Sequence, residues 1–253
     1  FLSKDNAKSF LEFDLENEIP FIAPRVFSKT GGGFILFATE SDSESLFLNY
    51  TLLDDFSSPH SFSKFDFSME DAQNPFAPTF VSLKESDILV FQAQHIQESR
   101  LVFQLYASTS YDGGKTWSPS EMLTHSDSSN QNPALLYDGK QVILCWERSL
   151  LTSSATEIFC AILDKSAHFV ESEQKISTGG KNVSPVPFLY SEKPYILFQH
   201  GGGEVFLSAK SAILWENPTK IANESSGKAQ AVVAFGGKNL SFVWQKNVEK
   251  KSE

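Results

Sequence analysis

The sequence predicts an all-β chain, a β-propeller of four-stranded antiparallel blades, and three observations lead there. First, apolar runs ending in an aromatic followed by Gln or Glu recur at Phe91-Gln92, Trp146-Glu147, Phe198-Gln199 and Trp244-Gln245. An earlier copy, FILFA, ends at Phe37-Ala38. Second, another aromatic series, Phe62, Trp117, Phe169 and Trp215, keeps one constant spacing to the next member of the first series: 62 to 91, 117 to 146, 169 to 198 and 215 to 244. Third, no helical periodicity fills the intervals, and 23 Phe against 2 Met suits many short, half-buried strands.

Length changes only on the other leg of each unit, 37 to 62, 91 to 117, 146 to 169 and 198 to 215, which is shortest in the last. Insertions confined to one connection per repeat mark loops on one face of a stacked array. Within a unit, strand A follows a Pro or small residue (PTFVSL, PALLYD) and strand B carries the first-series aromatic (DILVFQ, QVILCW, PYILFQ, LSFVWQ). Strand C is typified by RLVFQLYAS and EIFCAIL, and strand D by SKFDFS and SEMLTH after a tight turn.

Composition narrows the partners. A net charge of −10 repels phosphate backbones, so no nucleic acid is expected. No run of 18 apolar residues exists, so no membrane span is expected. Nothing reads as a signal peptide, but the chain opens at Phe1, as a processed or trimmed product would, so the missing signal carries no weight. Cys145 and Cys160 lie in neighbouring apolar runs. A hairpin centred near Leu151 and Thr152 would set them nearly opposite, within reach of a disulfide; the alternative is two buried free thiols. A disulfide would favour an exported protein, extracellular, periplasmic or surface-associated. Sequons begin at Asn49, Asn182, Asn223 and Asn239, a number that a Ser-rich chain produces by chance.

Between strands C and D of the second full unit stands Ser110-Tyr111-Asp112-Gly113-Gly114-Lys115-Thr116-Trp117. It resembles the Asp-box, S-x-D-x-G-x-T-W, of sialidases and related BNR-repeat propellers, and Ser110, Asp112, Gly114, Thr116 and Trp117 match all five specified positions. The motif is structural: Asp accepts N–H bonds inside a tight turn, Gly supplies a positive φ and Trp packs between blades. Decayed copies place Asp164 five residues before Phe169 and Lys210 five before Trp215, and residues 3–10 fit the same template. The chain therefore reads as one domain, 1–253, beginning inside a C–D hairpin and ending after a strand B. The expectation is five blades, with the N-terminal C and D strands completing the last; the competing reading is a piece of a longer propeller.

The resemblance implies that the D–A and B–C connections surround the mouth of the central channel, opposite the Asp-box turns. Polar candidates for that mouth are Arg25, Glu40, Gln92, His95, Glu147, Arg148, Gln199, His200 and Gln245. The blander reading is that Gln and Glu after each strand B cap backbone groups.

Sialidases hold a substrate carboxylate with three arginines, the first in an R-I-P motif, and add an Asp acid/base and a Tyr–Glu nucleophile pair. Here the nearest counterpart is Glu18-Ile19-Pro20, and the only arginines are Arg25, Arg100 and Arg148, none in the last blades. No catalytic set is assigned. Histidines and cysteines show no metal-ligand spacing, residues 40–44 read as a solvated acidic loop, and no cofactor is implied. Three functions remain: a non-catalytic propeller binding a protein or glycan through its mouth, a glycoside hydrolase of the sialidase-like class, or a structural domain of a larger protein. Carboxylates and arginines converging at the mouth would favour the hydrolase, and a Gln-lined or apolar mouth the binding module.

Overall fold

The computed structural model describes residues 21–42, 44–53, 61–150, 153–201, 203–212, 214–223, 232–236 and 239–243. The first blade comprises β1 (Phe21–Ser28), β2 (Phe34–Ser41), β3 (Leu46–Leu53) and β4 (Ser63–Lys64). The second comprises β5 (Ala72–Ser82), β6 (Asp87–Gln97), β7 (Arg100–Ser110) and β8 (Glu121–Met122). The third comprises β9 (Ser129–Tyr137), β10 (Val142–Ser149), β11 (Thr156–Leu163) and β12 (Gln174–Lys175). The fourth comprises β13 (Asn182–Tyr190), β14 (Lys193–His200), β15 (Glu204–Ala209) and β16 (Thr219–Asn223). A further hairpin, β17 (Val232–Gly236) with β18 (Asn239–Val243), supplies inner strands of a fifth. Each blade is a meander of antiparallel neighbours, and β1, β5, β9, β13 and β17 touch in succession, so the first strand of every blade is innermost. The strands expected from residues 1–20 to complete the last blade lie outside the described residues. No helix among the described residues is long and apolar enough to cross a membrane.

The repeated aromatic has a fixed partner. Phe37, Phe91, Trp146 and Phe198 on the second strands stand directly opposite Tyr50, Tyr106, Phe159 and Phe206 on the third. Ring centroids are 6.0, 6.0, 6.0 and 5.7 Å apart. The four second-strand rings are fully buried. Such cross-strand aromatic pairs add to area burial, which gives the recurrence of Phe or Trp at this position a physical reason.

The inner strands begin earlier than expected. Proline sits inside them, preceded by a residue in the left-handed region: Ala23 (φ 49°), Ala77 (φ 52°), Asn132 (φ 51°) and Ser184 (φ 57°). Pro24, Pro78, Pro133 and Pro185 keep one constant offset from Phe37, Phe91, Trp146 and Phe198, and the strand pairing slips there as a bulge. Proline is tolerated because an innermost strand has one edge without a ladder partner to donate to.

The Asp-box closes as its chemistry demands. Asp112 Oδ1 accepts the N–H groups of Lys115 (3.1 Å) and Thr116 (2.9 Å), and Oδ2 accepts the Thr116 hydroxyl (2.6 Å). Gly114 (φ +85°) presses so close to Ile35 and Leu52 of the first blade that a Cβ would meet both at 3.2 Å. Trp117 lies among Phe37, Tyr50, Phe65 and Phe80, wedged between the first two blades. In the decayed copy, Asp164 Oδ1 still accepts Ser166 and His168 N–H groups.

Cys145 and Cys160 are direct cross-strand partners on β10 and β11, with Cα atoms 4.1 Å apart, and they are joined by a disulfide. Both are buried among Ile143, Ile158, Ile196 and Phe198, between the third and fourth blades.

Candidate functional site

Two ends of the propeller are distinct. The first-to-second strand turns share one end with the Asp-box turns, where Ser86 Oγ donates to Lys165 O at 3.1 Å and Lys165 pairs with Glu85. The other end, the mouth, carries the second-to-third turns and the connections between blades.

Gln92 and Glu147, both named from sequence as mouth candidates, turn out to join blades. Gln92 Oε1 accepts the N–H of Asn132 at 2.6 Å, and Glu147 Oε1 accepts the N–H of Ser184 at 2.7 Å. Each donor is the left-handed residue of the next blade's bulge, which turns its N–H away from its own sheet. Burial pushes the Glu147 carboxyl above its ordinary value, opposed by the Ser184 N–H, the Asn132 amide and Lys181. Gln199 is the equivalent residue of the fourth blade and is likewise buried, its Nε2 without a hydrogen-bond partner among the described residues. Gln245 lies outside the described residues.

The remaining candidates are also pinned, largely by residues that sequence reading missed. Arg148 donates through Nε to Asn130 Oδ1 (2.8 Å), grips the Glu173 carboxylate with both terminal nitrogens, and lies 4.2 Å from the Phe159 ring centre. Trp146 Nε1 donates to the same Asn130 Oδ1 at 2.8 Å. One blade on, His200 Nδ1 meets Asn182 Oδ1 at 3.0 Å. Asn130 and Asn182 are buried equivalents, at the same offset before Trp146 and Phe198 respectively, which is the signal that could have found them. Beneath them, Asn130 Nδ2 donates to Gln104 Oε1 (2.9 Å), which also accepts the Thr124 hydroxyl (2.7 Å). In the next copy Asn182 Nδ2 faces Glu157, whose Oε2 accepts the Ser177 hydroxyl. Two sequon asparagines, Asn49 and Asn182, are thereby buried inside polar networks.

Arg25 Nη1 donates to Pro78 O of the next inner strand at 3.0 Å, and Glu40 Oε2 accepts Asn49 Nδ2 at 3.0 Å. His95 Nδ1 lies 3.2 Å from the Tyr106 hydroxyl; burial, with Asp71 nearby, pushes that phenol up to about 12, so it stays neutral. On the inner strands Gln73 is exposed and Gln131 half-buried, and the turn from β6 to β7 at the same end exposes Glu98 and Arg100. Across β1, β5, β9, β13 and β17 no Asp or Glu occurs, and Arg25 is the single charged residue. No group of three or more His, Cys, Asp or Glu is placed to hold a metal ion among the described residues.

No protein-family model matches the sequence, and no curated protein matches it. Solved structures do resemble the fold. A family 117 glycoside hydrolase, Zg3597, from Zobellia galactanivorans aligns over 88% of this chain and 75% of its own, at 12% identity and a TM-score of 0.59. A GH43_1 enzyme from Xanthomonas citri, complexed with xylotriose, covers 91% of this chain and 82% of its own, at 10% identity and TM-score 0.60. The NanB sialidase of Streptococcus pneumoniae covers 93% of this chain, at 11% identity and TM-score 0.62, and the match spans only 57% of that protein. With its meander blades stacked in order around their first strands, the chain has the β-propeller fold that these glycoside hydrolases and sialidases share.

Proposed function

We propose that this chain is a non-catalytic binding propeller that recognises a protein or glycan partner through the loops at its mouth. The observation that carries the reading is the absence of Asp and Glu from the described inner strands, whose polar side chains other than Arg25 are amides and hydroxyls. Glycoside hydrolysis uses two carboxyls about 5–9.5 Å apart across the scissile bond. Here Glu147, at the mouth end of a second strand, is spent on the neighbouring blade. Arg148 spends its whole guanidinium on Asn130 and Glu173, and Arg25 is tied through Nη1 to the Pro78 carbonyl. The buried Cys145–Cys160 disulfide supports an exported setting, extracellular, periplasmic or surface-associated.

The second reading, a glycoside hydrolase with a reduced or different catalytic set, is favoured by the hydrolases among the structural neighbours. A panel of fluorogenic glycosides, sialosides included, separates the two. Silence across the panel from folded protein, together with capture of a glycan or protein by the same sample, supports the binding propeller. Turnover that disappears in Glu147→Ala or Arg25→Ala would overturn it.

A further inference from the structure

At the mouth end, between the first and second blades, a cleft of about 420 Å3 opens between the start of β3, the β4–β5 connection and the start of β5. That volume falls in the range of small-ligand pockets, roughly 300–1,000 Å3. Its floor is aromatic, formed by Phe47, Phe65 and Phe67. Phe67 is held firmly from beneath, with its ring 5.2 Å from Phe91 and 5.3 Å from Tyr106, both at steep angles. One wall is equally fixed: Asn74 Oδ1 accepts the Leu46 N–H at 2.8 Å and its Nδ2 donates to Gln94 Oε1 at 2.8 Å.

Unlike Gln92, Glu147, Arg148 and His200, the polar side chains of the rim are not spent on hydrogen bonds within the fold. Lys64, Asp66 and Gln73 are exposed, and among the described residues none of their side chains forms a hydrogen bond or salt bridge. Lys64 Nζ lies 3.3 Å above the Phe47 ring centre, so its ammonium overhangs the floor with its donors open. The rim thus combines one cation, one anion and one amide, with no net charge and with donors and acceptors of both kinds.

That combination selects a ligand class. A purely apolar guest would strip water from Lys64, Asp66 and Gln73 without replacing their hydrogen bonds. An anion meets Asp66 and a chain of net charge −10, and a cation meets Lys64. A pyranose or furanose ring offers an apolar C–H face to an aromatic floor and a ring of hydroxyls, each both donor and acceptor, to such a rim. We propose that this cleft binds one residue of an uncharged oligosaccharide, with Phe67 beneath the sugar ring and Lys64, Asp66 and Gln73 bonded to its hydroxyls. The proposal rests on the reading of the chain as a binding propeller and adds that the ligand sits beside the central channel rather than in it.

The test is calorimetric or NMR titration of the full chain with cellotriose, lactose and maltotriose, and with glucuronic acid and N-acetylneuraminic acid. Lys64→Ala, Asp66→Ala and Gln73→Ala are then titrated alongside; all three positions are exposed, so the fold is retained. The expected result is saturable binding of at least one uncharged sugar, at least 5-fold weaker in each variant, with either acid bound at least 10-fold more weakly than that sugar. If an uncharged sugar binds but all three variants match the parent while Gln131→Ala abolishes binding, the ligand lies in the channel mouth and the cleft is overturned with the binding reading intact. If no uncharged sugar binds folded protein, the cleft proposal fails. Turnover of the fluorogenic glycosides would instead defeat the non-catalytic reading, so the two failures are distinguishable.

Discussion

Ser184 donates its backbone N–H to the carboxylate of Glu147 at 2.7 Å, and one blade earlier Asn132 donates in the same way to the amide of Gln92. The repeat therefore places a neutral acceptor at one junction and an ionisable one at the next, in the same buried environment. An amide makes that bond without a buried charge, whereas the carboxylate must be desolvated to make it.

Glu147→Gln keeps the acceptor and removes the charge. Because burial raises the Glu147 pKa in the folded chain, stability is lost as pH rises from the ordinary carboxylate range through the raised value. The variant is expected to melt above the parent at pH 7, with the gain fading below about pH 4. Glu147→Ala instead leaves the Ser184 N–H unpaired and is expected to cost about 1–3 kcal/mol, which shifts Tm by roughly 2–4 °C per kcal/mol. Melting curves of the three proteins between pH 3.5 and 8 check both; a Gln variant less stable than the parent at pH 7 refutes the sign.

Asp112 carries the opposite sign. Its carboxyl is held at about 2, first by the Thr116 hydroxyl and then by the Thr116 N–H, so its contribution is present above the ordinary carboxylate range and is lost as pH falls through about 2. Asp112→Ala is expected to cost about 1 kcal/mol at neutral pH, and the difference from the parent should shrink toward pH 2. Urea denaturation at pH 7 and pH 2 measures it; equal differences at the two pH values would show that the ionised form is irrelevant.

The Cys145–Cys160 bond ties β10 to β11 across a separation of 15 residues. Replacing both cysteines by alanine is expected to lower stability by about 3 kcal/mol, mainly by freeing the unfolded chain. Since both residues are buried, dithiothreitol should leave the bond intact in native buffer and cleave it in denaturant. Mass spectrometry after alkylation reads both states, and rapid native-state reduction would contradict this burial.

Gly180 allows His200 to reach Asn182. A Cβ there would stand 2.6 Å from His200 Cε1, and the backbone is at φ +78°. Gly180→Ala is thus expected to cost more than about 1 kcal/mol and to displace the imidazole from Asn182. A histidine side-chain NMR spectrum unchanged from the parent would show that the ring can stay where it is.

The sequence by itself determined the blade and its register. Buried aromatics held at one constant spacing from the preceding second-series aromatic defined the unit, and Ser110 to Trp117 marked the hairpin that separates its outer strands. Both signals are legible because each unit must bury the same face in the same way, so the same residue types return at the same positions. It also exposed the pairing of Cys145 with Cys160 as one of two alternatives, since a hairpin's register follows from its centre.

What only the tertiary structure decided was the use of each polar side chain. From sequence Gln92 and Glu147 read either as mouth residues or as caps of backbone groups, and Arg148 as a mouth residue. In the structure Gln92 and Glu147 accept backbone N–H groups of the next blade and Arg148 locks onto Asn130 and Glu173. The bulges at Asn132 and Ser184 that supply the first two partners arise from single left-handed residues before proline, which no hydrophobic period records. A repeat reports what every blade does alone. A contact between blades joins residues of different repeats that need not vary together, and it is there that a polar side chain is either spent on the fold or, as at Lys64, Asp66 and Gln73, left open to a ligand.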